Sequence, residues 1–169
     1  MREAVFLDRD GMANKSVVQN GKSHSAANLA AFEILLGVSE SVVRLRKAGL
    51  LVIVATNQPD IETGVQHRDV VEEMHSVLVE CVPVGADRMS VHVGADGCNC
   101  SKPKPGMLLE AAAEFEIDRS ASFVVRDRWR DVVFGRAAGC RTFFINHLYA
   151  ETLDLVDATS LILDPRRPH

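Results

Sequence analysis

The chain has 169 residues, of which 47% are hydrophobic and 25% charged, and its formal net charge is −4 at pH 7. This composition predicts one globular domain over residues 1–169 and excludes an intrinsically disordered chain. No apolar stretch approaches the ~20 residues that cross a bilayer, and the amino terminus lacks the pattern of a signal peptide. The acidic balance also disfavours nucleic-acid binding. We therefore expect a cytoplasmic protein that binds neither membranes nor nucleic acid.

The chain contains four cysteines, Cys81, Cys98, Cys100 and Cys140. A disulfide framework is disfavoured because no secretion signal is present. Cys98 and Cys100 are separated by one residue, which favours a metal clip. Cys81 and Cys140 lie in apolar sequence and are expected to be buried small hydrophobic residues.

Predicted strands and helices alternate along the first half of the chain. The apolar run Ala4–Leu7 predicts a strand that is followed by acidic residues. Apolar spacing predicts helices over 39–48 and 67–80, and the first of them is expected to stop at Gly49. Between them, the β-branched and continuously apolar segment 50–55 predicts a buried strand.

The same alternation continues to residue 145. Strands are predicted over 89–93, 122–126 and 141–145, and helices over 105–115 and 131–138. Alternating strands and helices imply right-handed crossovers and a mostly parallel, Rossmann-like sheet with helices on both faces. The predicted fold is therefore a three-layer α/β/α sandwich.

Polar residues follow three of the predicted strands. Asp8 and Asp10 come after the first strand, Thr56 and Asn57 after the second, and Asp127 after the fourth. Ligands of parallel sheets bind beyond the carboxyl ends of the strands. These five residues are therefore expected to converge on one edge of the sheet.

The segment FLDRDG places Asp8 and Asp10 two residues apart, with Gly11 next. A carboxylate can attack phosphorus to form an aspartyl-phosphate, and a second acid can protonate the leaving oxygen. Gly11 permits a sharp turn at this point. The alternative is a solvent-exposed strand end, because loops favour Asp and Gly for conformational reasons alone.

Two further segments offer groups that suit a phosphate. Thr56, Asn57 and Gln58 supply a hydroxyl and two amides, and Lys102 precedes the helix predicted to begin at Pro105. The alternatives are a capped turn and an ordinary basic loop.

Asp127 and Asp131 would add negative charge to that of Asp8 and Asp10. Such a cluster is costly unless a cation occupies it, and Mg²⁺ prefers oxygen ligands that it can share with a substrate phosphate. The alternative is a salt-bridged surface, because arginines alternate with the acids in the segment RDRWRD.

The order of four segments resembles the haloacid dehalogenase superfamily of phosphohydrolases. The segments are FLDRDGMAN, VIVATNQPDIETG, DGCNCSKPKPGMLLEAA and RDRWRDVVFGRAAGCRTFFI. Within the superfamily, the chain looks like the small D-glycero-D-manno-heptose 1,7-bisphosphate phosphatases and the related histidinol-phosphate phosphatases. The resemblance runs from about residue 5 to residue 145. It implies a single phosphatase domain without a large cap domain.

The resemblance also implies roles for individual residues. Asp8 is the implied nucleophile and Asp10 the general acid/base. The implied Mg²⁺ ligands are Asp8, the backbone carbonyl of Asp10 and Asp127, with Asp131 in support. The residues expected to contact substrate are Thr56, Asn57, Gln58, Ser101, Lys102 and Arg126.

The implied substrate is a small sugar phosphate. The favoured reaction removes the 7-phosphate of a D-glycero-D-manno-heptose 1,7-bisphosphate, and a monomer is expected. One alternative is a histidinol-phosphate phosphatase. Another is a weakly active or non-catalytic protein that binds a phosphate ligand on the same fold.

The chain departs from the family in its zinc loop. The family pattern is Cys-x-His followed by Cys-x-Cys, whereas this chain has Ser90, His92, Cys98 and Cys100 at those positions. A structural zinc site normally has four nitrogen or sulfur ligands, and serine is a poor fourth. We expect a zinc site that is weaker than the family's. A strand histidine without a ligand role is an equal alternative for His92.

Two more departures lie near the expected active site. The family usually has arginine where this chain has Ser101, and glycine where it has Arg126. One hypothesis is that Arg126 supplies the positive charge that Ser101 lacks. The rival hypothesis is that Arg126 pairs with Asp127 or Asp10 and competes with Mg²⁺.

Overall fold

The computed structural model describes residues 1–19, 22–92, 99–102, 104–127, 130–145, 159–160 and 162–164. Its strands are β1 (Ala4–Leu7), β2 (Val17–Gln19), β3 (Lys22–His24), β4 (Leu51–Asn57), β5 (Ala86–Ser90), β6 (Phe123–Arg126) and β7 (Arg141–Phe144). Its helices are α1 (Val38–Lys47), α2 (Pro59–Glu62), α3 (Arg68–Cys81), α4 (Gly106–Glu114) and α5 (Arg130–Ala137).

Five strands form one parallel sheet in the order β5–β4–β1–β6–β7. The first strand of the chain is therefore central, with β4 on one side and β6 on the other. Parallel strands are joined by crossover connections, which usually contain an α-helix on a face of the sheet. The predicted α/β sandwich with a parallel sheet is confirmed.

Apolar side chains on the two faces of the sheet build two separate cores. Strand β1 is fully buried, with Val5 and Leu7 in one core cluster and Ala4 and Phe6 in the other. This division follows from the alternation of side chains along a strand. Burial on both faces explains why β1 and residues 51–55 of β4 are continuously apolar in sequence.

Most predicted boundaries agree with the structure to within two residues, but the strand predicted over 89–93 is wrong. The strand in this region is β5, which begins three residues earlier and ends at Ser90. It lies at the edge of the sheet and is mostly half-buried, with Asp87 and Arg88 in its middle. An edge strand tolerates polar residues, so the apolar run was a poor marker of its position.

The segment between β1 and α1 holds a small antiparallel hairpin rather than a domain. Strands β2 and β3 pair with each other, and a short 3-10 helix follows at Leu29–Ala31. Asn28 caps that turn by accepting a hydrogen bond from the Ala31 amide at 3.1 Å. No large cap domain is found in the described part of this segment. None of the described helices is long and apolar enough to cross a membrane.

The two cysteines that were predicted to be buried differ in their exposure to solvent. Cys140 is 7% exposed, and burial raises the pKa of its thiol to about 11 against a smaller opposing effect of Arg119. Cys81 is exposed, so its predicted burial is wrong. It is the last residue of α3, and the chain next enters the core at Val82.

Candidate active site

The carboxyl ends of β1, β4 and β6 bring the predicted polar residues together. Lys102 and Arg126 both contact Asp8, and Gln58 bridges Asp10 and Thr56. The contacts of Asp8 with Lys102 and Arg126, and of Asp10 with Gln58, join residues that lie between 48 and 118 positions apart in the sequence. The convergence expected from a parallel sheet is therefore present.

Asp8 lies 7% exposed between two cationic side chains. Its Oδ1 accepts hydrogen bonds from Lys102 Nζ at 3.0 Å and from the Arg9 backbone amide at 2.9 Å. Its Oδ2 accepts one from Arg126 Nη1 at 3.0 Å. Both oxygens of the carboxylate are thus fixed by donors.

The pKa of Asp8 reflects two opposing effects. Burial raises the pKa of this carboxyl group, whereas the charges of Lys102 and Arg126 and the hydrogen bonds from Lys102 and the Arg9 amide lower it. The lowering effects prevail, so the pKa lies below its usual value of 3.8. Asp8 is therefore an ionised carboxylate at neutral pH, as a nucleophile must be.

Asp10 accepts hydrogen bonds from four side chains. The donors are Arg9 Nη2 at 3.1 Å, Asn14 Nδ2 at 3.1 Å, Ser25 Oγ at 2.9 Å and Gln58 Nε2 at 2.7 Å. The Asn14 bond reaches Oδ1 and the Ser25 and Gln58 bonds reach Oδ2. This arrangement holds the carboxyl group in one orientation within the site.

Sequence reasoning missed three of these donors, Arg9, Asn14 and Ser25. Arg9 is fully buried, and its Nε and Nη1 have no hydrogen-bond partner among the described residues. A signal existed for Arg9, because an arginine between two site aspartates is well placed to neutralise them. Ser25 follows the β2–β3 hairpin, where no sequence pattern indicates contact with the sheet edge.

The end of β4 supplies a second row of polar groups. Thr56 is 1% exposed, and its hydroxyl oxygen accepts a hydrogen bond from Gln58 Nε2 at 2.9 Å. Asn57 Nδ2 donates to Ser101 Oγ at 3.2 Å. Ser101 thus holds the Asn57 side chain and is itself 6% exposed.

Arg126 extends from the end of β6 to Asp8 and β4. The side chain is completely buried, and its Nη2 donates to the backbone carbonyl of Ala55 at 3.1 Å. Its guanidinium carbon lies 4.5 Å from the ring centroid of Phe134, and Lys102 Nζ lies 5.8 Å from the same centroid. Both cations that contact Asp8 therefore lie near the same aromatic ring.

Asp127 packs against the turn that follows Asp10. Gly11 has φ +86°, and a Cβ there would overlap the Asp127 carboxylate. Only glycine accepts both this backbone conformation and this close approach. The side chain of Asp131 is outside the part that the structure describes.

A second group of predicted ligands lies near the end of β5. Cys100 Sγ is 2.9 Å from His92 Nδ1 and 3.5 Å from Ser90 Oγ. Cys100 is disulfide-bonded, and Cys98 falls outside the described residues. Within the described ranges, no three His, Cys, Asp or Glu side chains form a metal-binding cluster.

Comparison with known proteins identifies the family. The HAD-hydrolase-like family model matches residues 99–147. The D-glycero-beta-D-manno-heptose-1,7-bisphosphate 7-phosphatase of Pasteurella multocida is 34% identical over 152 residues, which cover 82% of this chain and 78% of the relative. This chain belongs to the HAD-like phosphatases.

Other HAD-like phosphatases give the same result. The Escherichia coli K12 protein of the same name is 35% identical over 152 residues, covering 82% of this chain and 76% of that protein. The solved D,D-heptose 1,7-bisphosphate phosphatase of B. bronchiseptica, in complex with magnesium and phosphate, superimposes with a TM-score of 0.72. It is 28% identical, and the alignment covers 85% of this chain and 80% of that one. The predictions of the superfamily and of a phosphatase are confirmed.

Proposed function

We propose that the protein hydrolyses a phosphomonoester through an aspartyl-phosphate and requires Mg²⁺. The observation that carries this proposal is the environment of Asp8. It lies at the end of the central strand, where Lys102 and the Arg9 amide donate hydrogen bonds to it, and a second acid, Asp10, follows two residues later. A charged nucleophile beside an acid and a lysine is the arrangement that phosphoryl transfer needs.

The reaction takes two steps. One oxygen of Asp8 forms a bond to phosphorus while the bond between phosphorus and the sugar oxygen breaks, and Asp10 gives its proton to that oxygen. Asp10 then removes a proton from water, whose oxygen attacks the phosphorus of the aspartyl-phosphate. Phosphate leaves, and Asp8 returns as a carboxylate.

The residues present fit a magnesium ion. The carboxylates of Asp8 and Asp127 are hard oxygen donors, and Asp127 packs against Gly11, the residue that follows Asp10. Together with the backbone carbonyl of Asp10 they would hold the ion, which prefers oxygen ligands and shares them with water and substrate oxygens. When bound, the ion neutralises phosphoryl charge. We propose Asp131 as support for this site.

The remaining predicted residues are proposed to bind substrate. Thr56, Asn57 and Gln58 would face the transferring phosphoryl group from the end of β4, and Lys102 would neutralise part of its charge. Ser101 holds Asn57 by a hydrogen bond, and Arg126 adds a second positive charge at Asp8.

The proposed substrate is a D-glycero-D-manno-heptose 1,7-bisphosphate, from which the 7-phosphate is removed. The support comes from relatives of 34–35% identity whose names carry that activity. The alignments cover more than three quarters of each relative. We further propose that residues 1–169 act as one domain and as a monomer. Light scattering coupled to gel filtration tests the monomer.

We also propose a weak zinc site at Ser90, His92, Cys98 and Cys100. The support is the approach of His92 Nδ1 to within 2.9 Å of Cys100 Sγ. Zinc binding would require Cys100 as a thiolate, because thiolates rather than disulfides are the ligands. Zinc content measured after reduction and chelation tests this proposal. A full equivalent that resists the chelator would contradict a weak site.

The first experiment measures phosphate release with Mg²⁺ from heptose bisphosphates, histidinol phosphate and simple sugar phosphates. We expect rapid release from a heptose 1,7-bisphosphate, with loss of at least three orders of magnitude in Asp8→Asn (about 10³-fold or more for a missing nucleophile). Asp69→Asn is the matched control, because Asp69 is an exposed residue in the first turn of α3.

Three outcomes would count against the proposal. Faster release from histidinol phosphate would replace the substrate. Turnover that persists in Asp8→Asn would exclude the aspartyl-phosphate route. Folded protein that releases no phosphate from any compound, yet binds phosphate, would favour a non-catalytic ligand-binding protein.

A further inference from the structure

Arg126 is the second cation that contacts Asp8, and its side chain is completely buried. We propose that Arg126 is a fixed internal counter-charge that lets the metal-free site bind a phosphate dianion and weakens binding of Mg²⁺. The proposal rests on the phosphate site described under the proposed function, but it does not require turnover.

The contacts of Arg126 prevent it from leaving the site. Nη1 donates to Asp8 Oδ2 at 3.0 Å and Nη2 donates to the Ala55 carbonyl at 3.1 Å, so the guanidinium connects β6 with the ends of β1 and β4. Phe134 lies against the guanidinium with 4.5 Å between the guanidinium carbon and the ring centroid. The side chain has no solvent exposure. A surface lysine could swing into water, whereas this charge cannot.

The arginine changes the charge balance of the empty site. The described acidic side chains at the site are Asp8, Asp10 and Asp127. The described basic side chains that contact them are Arg9, Lys102 and Arg126. Arg126 and Lys102 are thus the two described cations that contact Asp8, and removal of the Arg126 charge would lower the positive charge at this carboxylate by one unit. A site with less positive charge attracts a phosphate dianion less strongly.

The same charge opposes a divalent cation. The proposed Mg²⁺ ligand Asp8 already shares one oxygen with Arg126 and the other with Lys102. An ion bound to Asp8 would lie within a few ångströms of a buried guanidinium, where Coulomb repulsion is weakly screened. Mg²⁺ therefore binds more weakly with Arg126 present than with a neutral residue in its place.

The test measures binding rather than activity. Inorganic phosphate is titrated into full-length protein in EDTA, and Mg²⁺ is titrated separately without phosphate, both by calorimetry. Four proteins decide the result: the wild type, Arg126→Met, Arg126→Lys and Arg126→Gln. Arg136→Met is the matched control, because Arg136 is an exposed arginine in the last turn of α5.

We expect the wild type to bind phosphate in EDTA and Arg126→Met to bind it at least tenfold more weakly (roughly one charge at a low effective dielectric). Arg126→Met should bind Mg²⁺ about tenfold more tightly for the same reason. Arg126→Lys, which keeps the charge, should stay close to the wild type in both titrations. Arg136→Met should match the wild type.

Several results would overturn the proposal. One is a wild type that binds no phosphate in EDTA, which is decisive even if Arg126→Met does not fold. Another is an unchanged Mg²⁺ affinity in folded Arg126→Met, or in Arg126→Gln, which keeps a donor but loses the charge. Failure of the proposed function is distinguishable, because it appears as absent turnover with these binding differences intact.

Discussion

The ionised state of Asp8 depends on its neighbours more than on its own chemistry. A carboxylate with 7% exposure would have a raised pKa if it stood alone, and only Lys102, Arg126 and the Arg9 amide reverse that effect. The lowered pKa means that the folded protein binds a proton at Asp8 less readily than the unfolded chain does. The ion pairs of Asp8 therefore contribute to stability as well as to the site.

The first prediction concerns the stability of Asp8→Asn in EDTA. The substitution leaves Lys102 and Arg126 without their counter-charge, so it should lower the free energy of unfolding at pH 7 by about 3–5 kcal/mol. In the wild type, the contribution of the pairs is complete above the unfolded pKa of about 3.9 and is lost as the pH falls through the lower folded pKa. The difference between variant and wild type should therefore shrink as the pH falls below about 4.

Urea unfolding at several pH values measures this difference. Asp69→Asn, on the exposed surface of α3, is the control and should stay within about 0.5 kcal/mol of the wild type throughout. A difference for Asp8→Asn that stays constant down to pH 3 would show that Asp8 is not the titrating group.

The second prediction concerns Gly11. Gly11→Ala puts a residue with a Cβ into a left-handed backbone conformation. That Cβ overlaps the Asp127 carboxylate, so the Asp127 side chain or the turn must move. Gly49→Ala is the matched control, because Gly49 has φ +91° and no atom lies within 4 Å of the added Cβ. We expect about 1 kcal/mol of destabilisation for Gly49→Ala and at least about 2 kcal/mol for Gly11→Ala.

Phosphate release is the second measurement on the glycine pair. Gly11→Ala should lose most of its turnover, whereas Gly49→Ala should keep it. Equal effects of the two substitutions on stability and turnover would mean that Asp127 does not constrain position 11.

Contacts that depend on the turn at Gly11 or on the β2–β3 hairpin could not be predicted from local sequence. Asp8, Asp10 and Lys102 stand in segments whose residue types indicate phosphate chemistry. Ser25, in contrast, reaches Asp10 only because the chain folds back over the sheet edge after β3. A long-range contact of this kind has no periodicity that a sequence pattern can show.

At the scale of elements, buried strands and amphipathic helices were predictable because periodicity reports burial directly. Helix α3 spans Arg68–Cys81 against a predicted 67–80, and its buried residues Val71, Met74 and Leu78 recur at helical spacing. Strand β5 was misplaced because an edge strand is only half-buried. Depth in the core does not decide every case, because β7 is also a half-buried edge strand and its predicted range 141–145 agrees with Arg141–Phe144.

The third prediction tests the buried face of α3 with two adjacent residues. Leu78 is fully buried in a core cluster, whereas Val79 is 41% exposed. Leu78→Ala should lower the free energy of unfolding by about 2–5 kcal/mol, because it opens a cavity under the helix. Val79→Ala should change it by no more than about 0.5 kcal/mol. If urea unfolding gave comparable losses of unfolding free energy for the two variants, α3 would have to face the core with a different side.

At the scale of the whole molecule, the parallel sheet determines where chemistry can occur. Parallel strands end at the same edge of the sheet, so residues that are distant in sequence meet there. This is why the site edge was predictable from alternating elements alone. The strand order was not predicted, because local patterns do not show which strands become neighbours.

The fourth prediction concerns the distribution of stability across the sheet. Strand β1 is central and fully buried, whereas β5 and β7 lie at the edges and are mostly half-buried. Amide hydrogen exchange followed by mass spectrometry should be slowest in β1, faster in β5 and β7, and fastest in the β2–β3 hairpin. Protection of the hairpin equal to that of β1 would contradict this order.

The hydroxyl of Ser25 has one hydrogen and two acceptors within reach. Asp10 Oδ2 lies at 2.9 Å and Gln58 Oε1 at 3.3 Å, so the hydrogen can serve only one of them at a time. Turning the O–H bond toward Gln58 opens a position on the Asp10 carboxylate without displacing any heavy atom. Such rotations take picoseconds to nanoseconds, far less than a typical enzymatic turnover. In the proposed reaction, this rotation would give a leaving oxygen access to Asp10 without movement of the backbone.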